Sequence, residues 1–282
     1  MSKILGTDPQ VQAFLQDARD RPEDDTPRLV LADFLEERGD HDRGEFIRLQ
    51  CRLGDWTTPL DEPQRQEMKG RCDGLLGRRG GGWLGPLWRW PVSPMAWHRG
   101  LLAMRLPRRF DPEELEDILG WIDTALFVLH GRAGFRRVTD FMGRSGVNHL
   151  HLDWRSQLRE GTLLEMLAGL PESACLRSLS IHWPLALLRR PDGDGDSERG
   201  LSVAAVSEGF LATLLGELPV GRHLTHLGTS RPFGTHQNQL VRDLGVEPVD
   251  VQDRLWMHRL PPTAFRARRA APTSSCPPAA LS

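Results

Sequence analysis

Val147-Asn148-His149-Leu150-His151-Leu152-Asp153 places apolar side chains at its first, fourth and sixth positions and polar ones between them. A strand points successive side chains to opposite faces, so Leu150 and Leu152 share one face while His149, His151 and Asp153 share the other. The spacing returns at Leu176-x-x-Leu179-x-Ile181 and, in worn form, at Leu224-x-x-Leu227-x-Thr229. Leu101-x-x-Met104-x-Leu106 reads as an earlier copy, and Phe135-x-x-Val138 as a further worn one. Leu150 and Leu179 lie 29 residues apart, room for a strand and a helix, and residues 160–170 supply the helix with Leu163, Leu164, Met166, Leu167 and Leu170. Residues 203–218 predict another, with Val206, Phe210, Leu211, Leu214, Leu215 and Leu218 on one side. Strand, helix, strand at this period stacks parallel strands in a right-handed solenoid. The interval from Leu179 to Leu227 is 48 residues and holds the polar insertion 189–200, so the array is expected to be irregular.

The L-x-x-L-x-L spacing resembles the strand signature of leucine-rich repeats. The fold class expected is therefore α/β: an N-terminal helical domain, then a short, degenerate leucine-rich-repeat solenoid of four or five units, with parallel strands inside and convex helices outside. Consensus asparagines after the strands are missing; Asp153 and Trp183 stand near that place.

The helical start is read from its caps. Asp8-Pro9 sets a side-chain acceptor before a proline whose missing N–H costs nothing at a first turn, and Val11, Phe14, Leu15 and Ala18 follow at helical spacing until Pro22. Asp25-Thr26-Pro27 repeats the device ahead of Leu29, Val30, Ala32, Phe34 and Leu35, and Gly39 supplies the stop. A third helix is expected after Gly39-Asp40-His41-Asp42-Arg43-Gly44, with Glu45, Phe46, Ile47, Leu49 and Leu53 forming an amphipathic stripe.

The run Asp24-Asp25-Thr26-Pro27-Arg28-Leu29-Val30-Leu31-Ala32-Asp33-Phe34-Leu35-Glu36-Glu37-Arg38-Gly39-Asp40, followed by Arg43-Gly44-Glu45-Phe46-Ile47-Arg48-Leu49-Gln50, resembles the short repeat-companion domain that precedes leucine-rich repeats in many bacterial proteins. Leu31 stands where that family usually has tyrosine and Phe34 where it has tryptophan, and both keep a bulky apolar group. The runs Trp83-Leu84-Gly85-Pro86-Leu87 and Trp97-His98-Arg99-Gly100-Leu101 also resemble that family's link to its repeats. The resemblance implies no catalytic residues.

The expected domains are a helical companion domain over 1–55, a tryptophan-rich junction over 56–100, the repeat domain over 101–250 and a disordered, weakly basic tail over 251–282. In the junction, residues 62–76 predict a helix, Arg78-Arg79-Gly80-Gly81-Gly82 a flexible break, and Trp83, Trp88, Trp90 and Trp97 a hydrophobic plug over the end of the array.

Net charge −2 argues against a polyanion binder held by bulk charge, and nearly all cations are arginine, Lys3 and Lys69 being the only lysines. Cys51, Cys72, Cys175 and Cys276 form no C-x-x-C pair, which speaks against a zinc or redox framework and for reduced thiols in the cytoplasm. No apolar run approaches the roughly 18 residues a membrane helix needs. No phosphate loop, nucleophile elbow, dinucleotide fingerprint or H-E-x-x-H motif occurs, and no cofactor is implied.

The function expected is therefore non-enzymatic: a bacterial protein-binding module recognising a protein partner on the solvent-facing side of its strands. Arg105, His149, His151, Asp153, Ser178, Ser180 and His182 are the candidate contact residues. Two alternatives come from the same residues. His149, His151 and Asp153 would share one strand face, a metal half-site for a metal-dependent hydrolase. The pairs Arg108-Arg109, Arg136-Arg137 and Arg189-Arg190 would form arginine rims for nucleic acid. Asp40 with Asp42, and Asp192-Gly193-Asp194-Gly195-Asp196, echo calcium-loop spacing but lack the terminal bidentate Glu.

Overall fold

The computed structural model describes residues 8–55, 58, 60–89, 95–155, 159–171, 176–182, 207–229 and 235–250. Four helices come first, α1 (Pro9–Asp20), α2 (Thr26–Glu37), α3 (His41–Gly54) and α4 (Glu62–Leu84). Strands and helices then alternate: β1 (Met95–His98), β2 (Leu101–Leu106), α5 (Glu116–Leu119), β3 (Ile122–Leu129), α6 (Arg132–Met142), β4 (His149–Trp154), α7 (Glu160–Ala168), β5 (Ser178–His182), α8 (Glu208–Ala212), β6 (His226–Thr229), α9 (Thr235–Asp243) and β7 (Glu247–Asp250). The seven strands form one sheet in chain order. Two compact units divide the chain: the first runs to Ala125 and includes Arg144–Gly146, and the second takes Leu126–Gly143 and the described residues from Val147 onward.

In the first unit the helices start close to where their caps predict. Asp8 accepts from the Gln10 amide at 2.8 Å. At α2 the cap shifts by one residue: Asp24, not Asp25, accepts from the Thr26 amide at 2.8 Å. Asp25 turns inward instead, its Oδ1 3.7 Å from both Arg28 and Arg99. Both guanidinium groups are buried and donate to main-chain carbonyls, Arg28 to Asp24 and Ala18, Arg99 to Pro22 and Gly54. α3 begins at His41, five residues before its first large apolar side chain, Phe46, and takes Gly44 inside it. A Cβ at Gly44 would stand 2.6 Å from Glu36 Cγ and 2.8 Å from the Ala32 carbonyl oxygen, so only glycine lets α3 approach α2 this closely.

The predicted break at residues 78–82 is helical, and α4 runs through it to Leu84. Each exposed glycine costs a helix about 1 kcal/mol, but Leu75, Gly80, Trp83 and Leu84 are all buried on α4, and Gly80 receives the Trp88 ring. Tertiary packing thus overrides local propensity. Trp83 and Trp97 pack on Phe46 with ring centroids 5.3 and 5.1 Å away, in a cluster that also holds Leu49, Cys72 and Leu75. The junction therefore shares its core with the helices rather than forming a segment of its own. Arg43, also buried, lies 3.6 Å over the Trp121 ring, and burial depresses its pKa to about 10.

Leu101–Leu106 is a strand that closes an antiparallel hairpin with β1 on one side and borders β3 on the other. The two-residue turn has positive φ at Arg99 (48°) and Gly100 (82°), the requirement of a tight hairpin turn whose twist matches its strands. Arg99 tolerates that conformation while its guanidinium holds the Pro22 and Gly54 carbonyls.

In the second unit β4, β5, β6 and β7 are mutually parallel in a fixed register. Leu150, Leu179 and Leu227 stand opposite one another and each is fully buried, as are Leu152 and Ile181 beside them. Leu163 and Leu167 of α7, Phe210 and Leu211 of α8 and Val241 of α9 are buried with them. Residues 208–217 are helical as expected, their last turn widened into a π-helix, while 203–206 lie outside the described residues. Phe135 and Val138 belong to α6, not to a strand. The unpredicted strand β3, Ile-Asp-Thr-Ala-Leu-Phe-Val-Leu, is buried at all but one position and so shows no alternation to read. The insertion 189–200 and the tail 251–282 fall outside the described residues.

Candidate functional site

The polar side chains of the β4–β7 ladder fall into lateral rows because the strands are parallel and in register. One row is His149, Ser178, His226 and Glu247; the next is His151, Ser180 and Gly228; the third pairs Asp153 with His182. Six of the seven sequence-predicted residues are thus brought together. Arg105 is not among them: it sits half-buried on β2, in the first unit.

The rows are less open than a solvent-facing face requires. His151, Asp153, Ser178 and Ser180 are buried, between 2% and 8% exposed, which corrects the expectation that they face solvent. Small hydroxyl side chains between larger neighbours on strands about 4.8 Å apart are shielded from water on both sides. The half-buried groups are His149, His182 and His226, with exposed Glu247 at one end and exposed Arg155 at the other.

Contacts within and between strands order these groups. His182 Nδ1 lies 3.1 Å from Asp153 Oδ1, and Arg155 donates to Asp153 Oδ2 at 2.5 Å. Burial by itself would push the Asp153 carboxyl up, but His182 and Arg155 outweigh it and hold the group below the usual carboxylate range. At the far side His226 Nε2 lies 3.4 Å from Glu247 Oε2, while its Nδ1 meets Thr225 Oγ1 at 2.9 Å. Two His–carboxylate pairs therefore span β4–β5 and β6–β7. Ser180 Oγ, between them, has no hydrogen-bond partner among the described residues.

His149, His151 and Asp153 do not close into a metal site. Among the described residues no three His, Cys, Asp or Glu side chains gather around one point, and Asp153 is already engaged by a guanidinium and an imidazole. Asp42 of the first calcium-like spacing is paired with Arg79, and residues 192–196 lie outside the described residues. The arginine pairs differ too: Arg108 and Arg109 are both exposed, but on α6 Arg136 is exposed while Arg137 is half-buried, and 189–190 are not described. Cys51 and Cys72 are free and buried, their thiols pushed up by desolvation to about 12 and about 11. Such thiols are poor nucleophiles.

Sequence reading missed Arg155, His226 and Glu247. Arg155 follows the motif by two residues on the face of Asp153, and His226 occupies the place of His149 in the worn third copy. Glu247 lies 21 residues after His226, one short repeat on, and that spacing was the available signal. Among the described residues no helix is long and apolar enough to cross a membrane. Compared with family models, with curated proteins and with solved structures, the chain finds no match.

Proposed function

We propose that the protein is a non-enzymatic binding module in which a repeat-companion-like helical unit precedes a short, degenerate leucine-rich-repeat array that recognises a protein partner. The observation that carries this reading is the registered polar ladder. His149, His182 and His226, flanked by Arg155 and Glu247, are held partly exposed on parallel strands, while Ser178, Ser180, His151 and Asp153 in the same rows are buried. A rigid backbone presenting imidazoles, a guanidinium and a carboxylate offers directional contacts at little cost in side-chain ordering. The L-x-x-L-x-L columns Leu150, Leu179 and Leu227 support the repeat assignment, and the motif over residues 24–50 supports the companion domain. Binding rather than catalysis fits a Ser180 hydroxyl that no base contacts among the described residues and two buried, high-pKa thiols. Free thiols also suit the cytoplasm, and net charge −2 favours a protein over nucleic acid.

A photo-crosslinker tests the reading. Placed at His226 in the full chain, it should give one discrete heterologous adduct in native extract, lost when His149 and His182 are both changed to Glu. The same group at exposed Gln239 on α9 should give none. Equal labelling from both positions, or an adduct indifferent to the double variant, would overturn the assignment of the partner to this face.

A further inference from the structure

Among the described residues three large hydrophobic side chains are exposed, and two are neighbours on α2: Leu29, 40% exposed, and Val30, 43%. Phe34, one helical turn beyond Val30, extends this ridge and packs on Phe14 of α1 with ring centroids 5.5 Å apart. The frame is acidic. Residues 8–38 hold nine acids and four arginines, and Arg19 and Arg28 of those four are buried. Asp33 and Glu37 flank the ridge in solvent. The cations that reach it are Arg38, over the Phe34 ring at 4.7 Å, and Arg48, paired with Asp33 and Glu36.

An apolar ridge in an acidic frame fits a segment that sets apolar side chains among cations. One stretch of this chain has that composition. Residues 254–269, Arg-Leu-Trp-Met-His-Arg-Leu-Pro-Pro-Thr-Ala-Phe-Arg-Ala-Arg-Arg, carry five arginines and no acid, with Leu255, Trp256, Met257, Leu260 and Phe265 between them. The net charge of −2 hides this segregation: Asp253 is the single acid in residues 251–282.

We infer that residues 254–269 dock within the same chain on the Leu29–Val30 ridge of α2. The five arginines complement the charge of the α2 carboxylates, and the aromatic and aliphatic residues between them match the apolar Leu29 and Val30. The contact leaves the polar strand ladder untouched, so it stands or falls apart from the partner-binding reading.

A benzophenone side chain in place of Val30 in the full chain decides it. After irradiation the expected product has monomer mass, and digestion yields α2 joined to residues 254–269. The full-length triple variant Arg266→Glu, Arg268→Glu, Arg269→Glu should lower that yield at least fivefold, with circular dichroism confirming that the fold is kept. Benzophenone at exposed Gln66 on α4 should not reach the same residues. An adduct on a second copy, read from mixed light and heavy chains, would overturn the inference. So would an adduct on another protein, an equal yield from Gln66, indifference to the triple variant, or no adduct at all.

Discussion

The two units hold themselves together in different ways. The helical unit depends on exceptions: a glycine where α3 meets α2, an arginine stacked on Trp121, and two more arginines that bind main-chain carbonyls from within the core. The β4–β7 ladder depends on repetition, the same apolar column of Leu150, Leu179 and Leu227 recurring on successive strands. An exception has no neighbour to take over its role. A repeated row passes part of any loss to the strands on either side. The helical unit should therefore be the more sensitive to single conservative changes, and the ladder the more sensitive to changes in charge along a row.

The largest effect is expected at Phe46, the centre of the Trp83–Trp97 cluster. Phe46→Ala should destabilise the first unit by about 3–5 kcal/mol, read by urea titration of tryptophan fluorescence. A loss under 1 kcal/mol would mean that the two indoles pack without it. Gly44→Ala, which meets Glu36 and the Ala32 carbonyl, should cost about 1–3 kcal/mol; an unchanged urea midpoint would show that α2 and α3 have room to part.

In the ladder, Asp153→Asn should cost about 1–2 kcal/mol at neutral pH, where the carboxylate accepts charged hydrogen bonds. The sign of its pH dependence follows from the lowered pKa. Because the folded carboxyl titrates below the unfolded one, its contribution is fully present above the unfolded value and is lost as pH falls through the folded one. The gap between wild type and variant should therefore close on acidification toward pH 3, and a gap that widens there would contradict the pairing of Asp153 with His182 and Arg155. The smallest effect belongs to Glu165→Gln. It removes the pair with Arg132, in which both side chains are about two-thirds exposed, and should shift stability by less than about 1 kcal/mol. A larger change would show that α6 and α7 rely on charge.

Much of the local structure was legible. The cap at Asp8, the helical spacing of Leu163 and Leu167, and the alternation in Val147–Asp153 each depend on residues near one another in the chain. β3 was illegible because both of its faces are buried, which erases the period-two signal. α4 was misread at residues 78–82 because the side chains that hold the glycines in a helix, Trp88 among them, come from beyond the glycine run. On the candidate site, the shared face of His149, His151 and Asp153 was plain from their spacing, whereas Glu247 required a strand lacking the leucine pattern.

By itself the sequence determined which side chains share a strand face and where several helices begin, because both follow from backbone periodicity and short-range hydrogen bonds. Only the tertiary structure decided that Asp153 meets His182 and Arg155, that Ser178 and Ser180 are buried, and that Arg28, Arg43 and Arg99 lie inside the protein. Lateral register and the burial of charge depend on which distant segments pack together. No residue carries that information in its immediate neighbours.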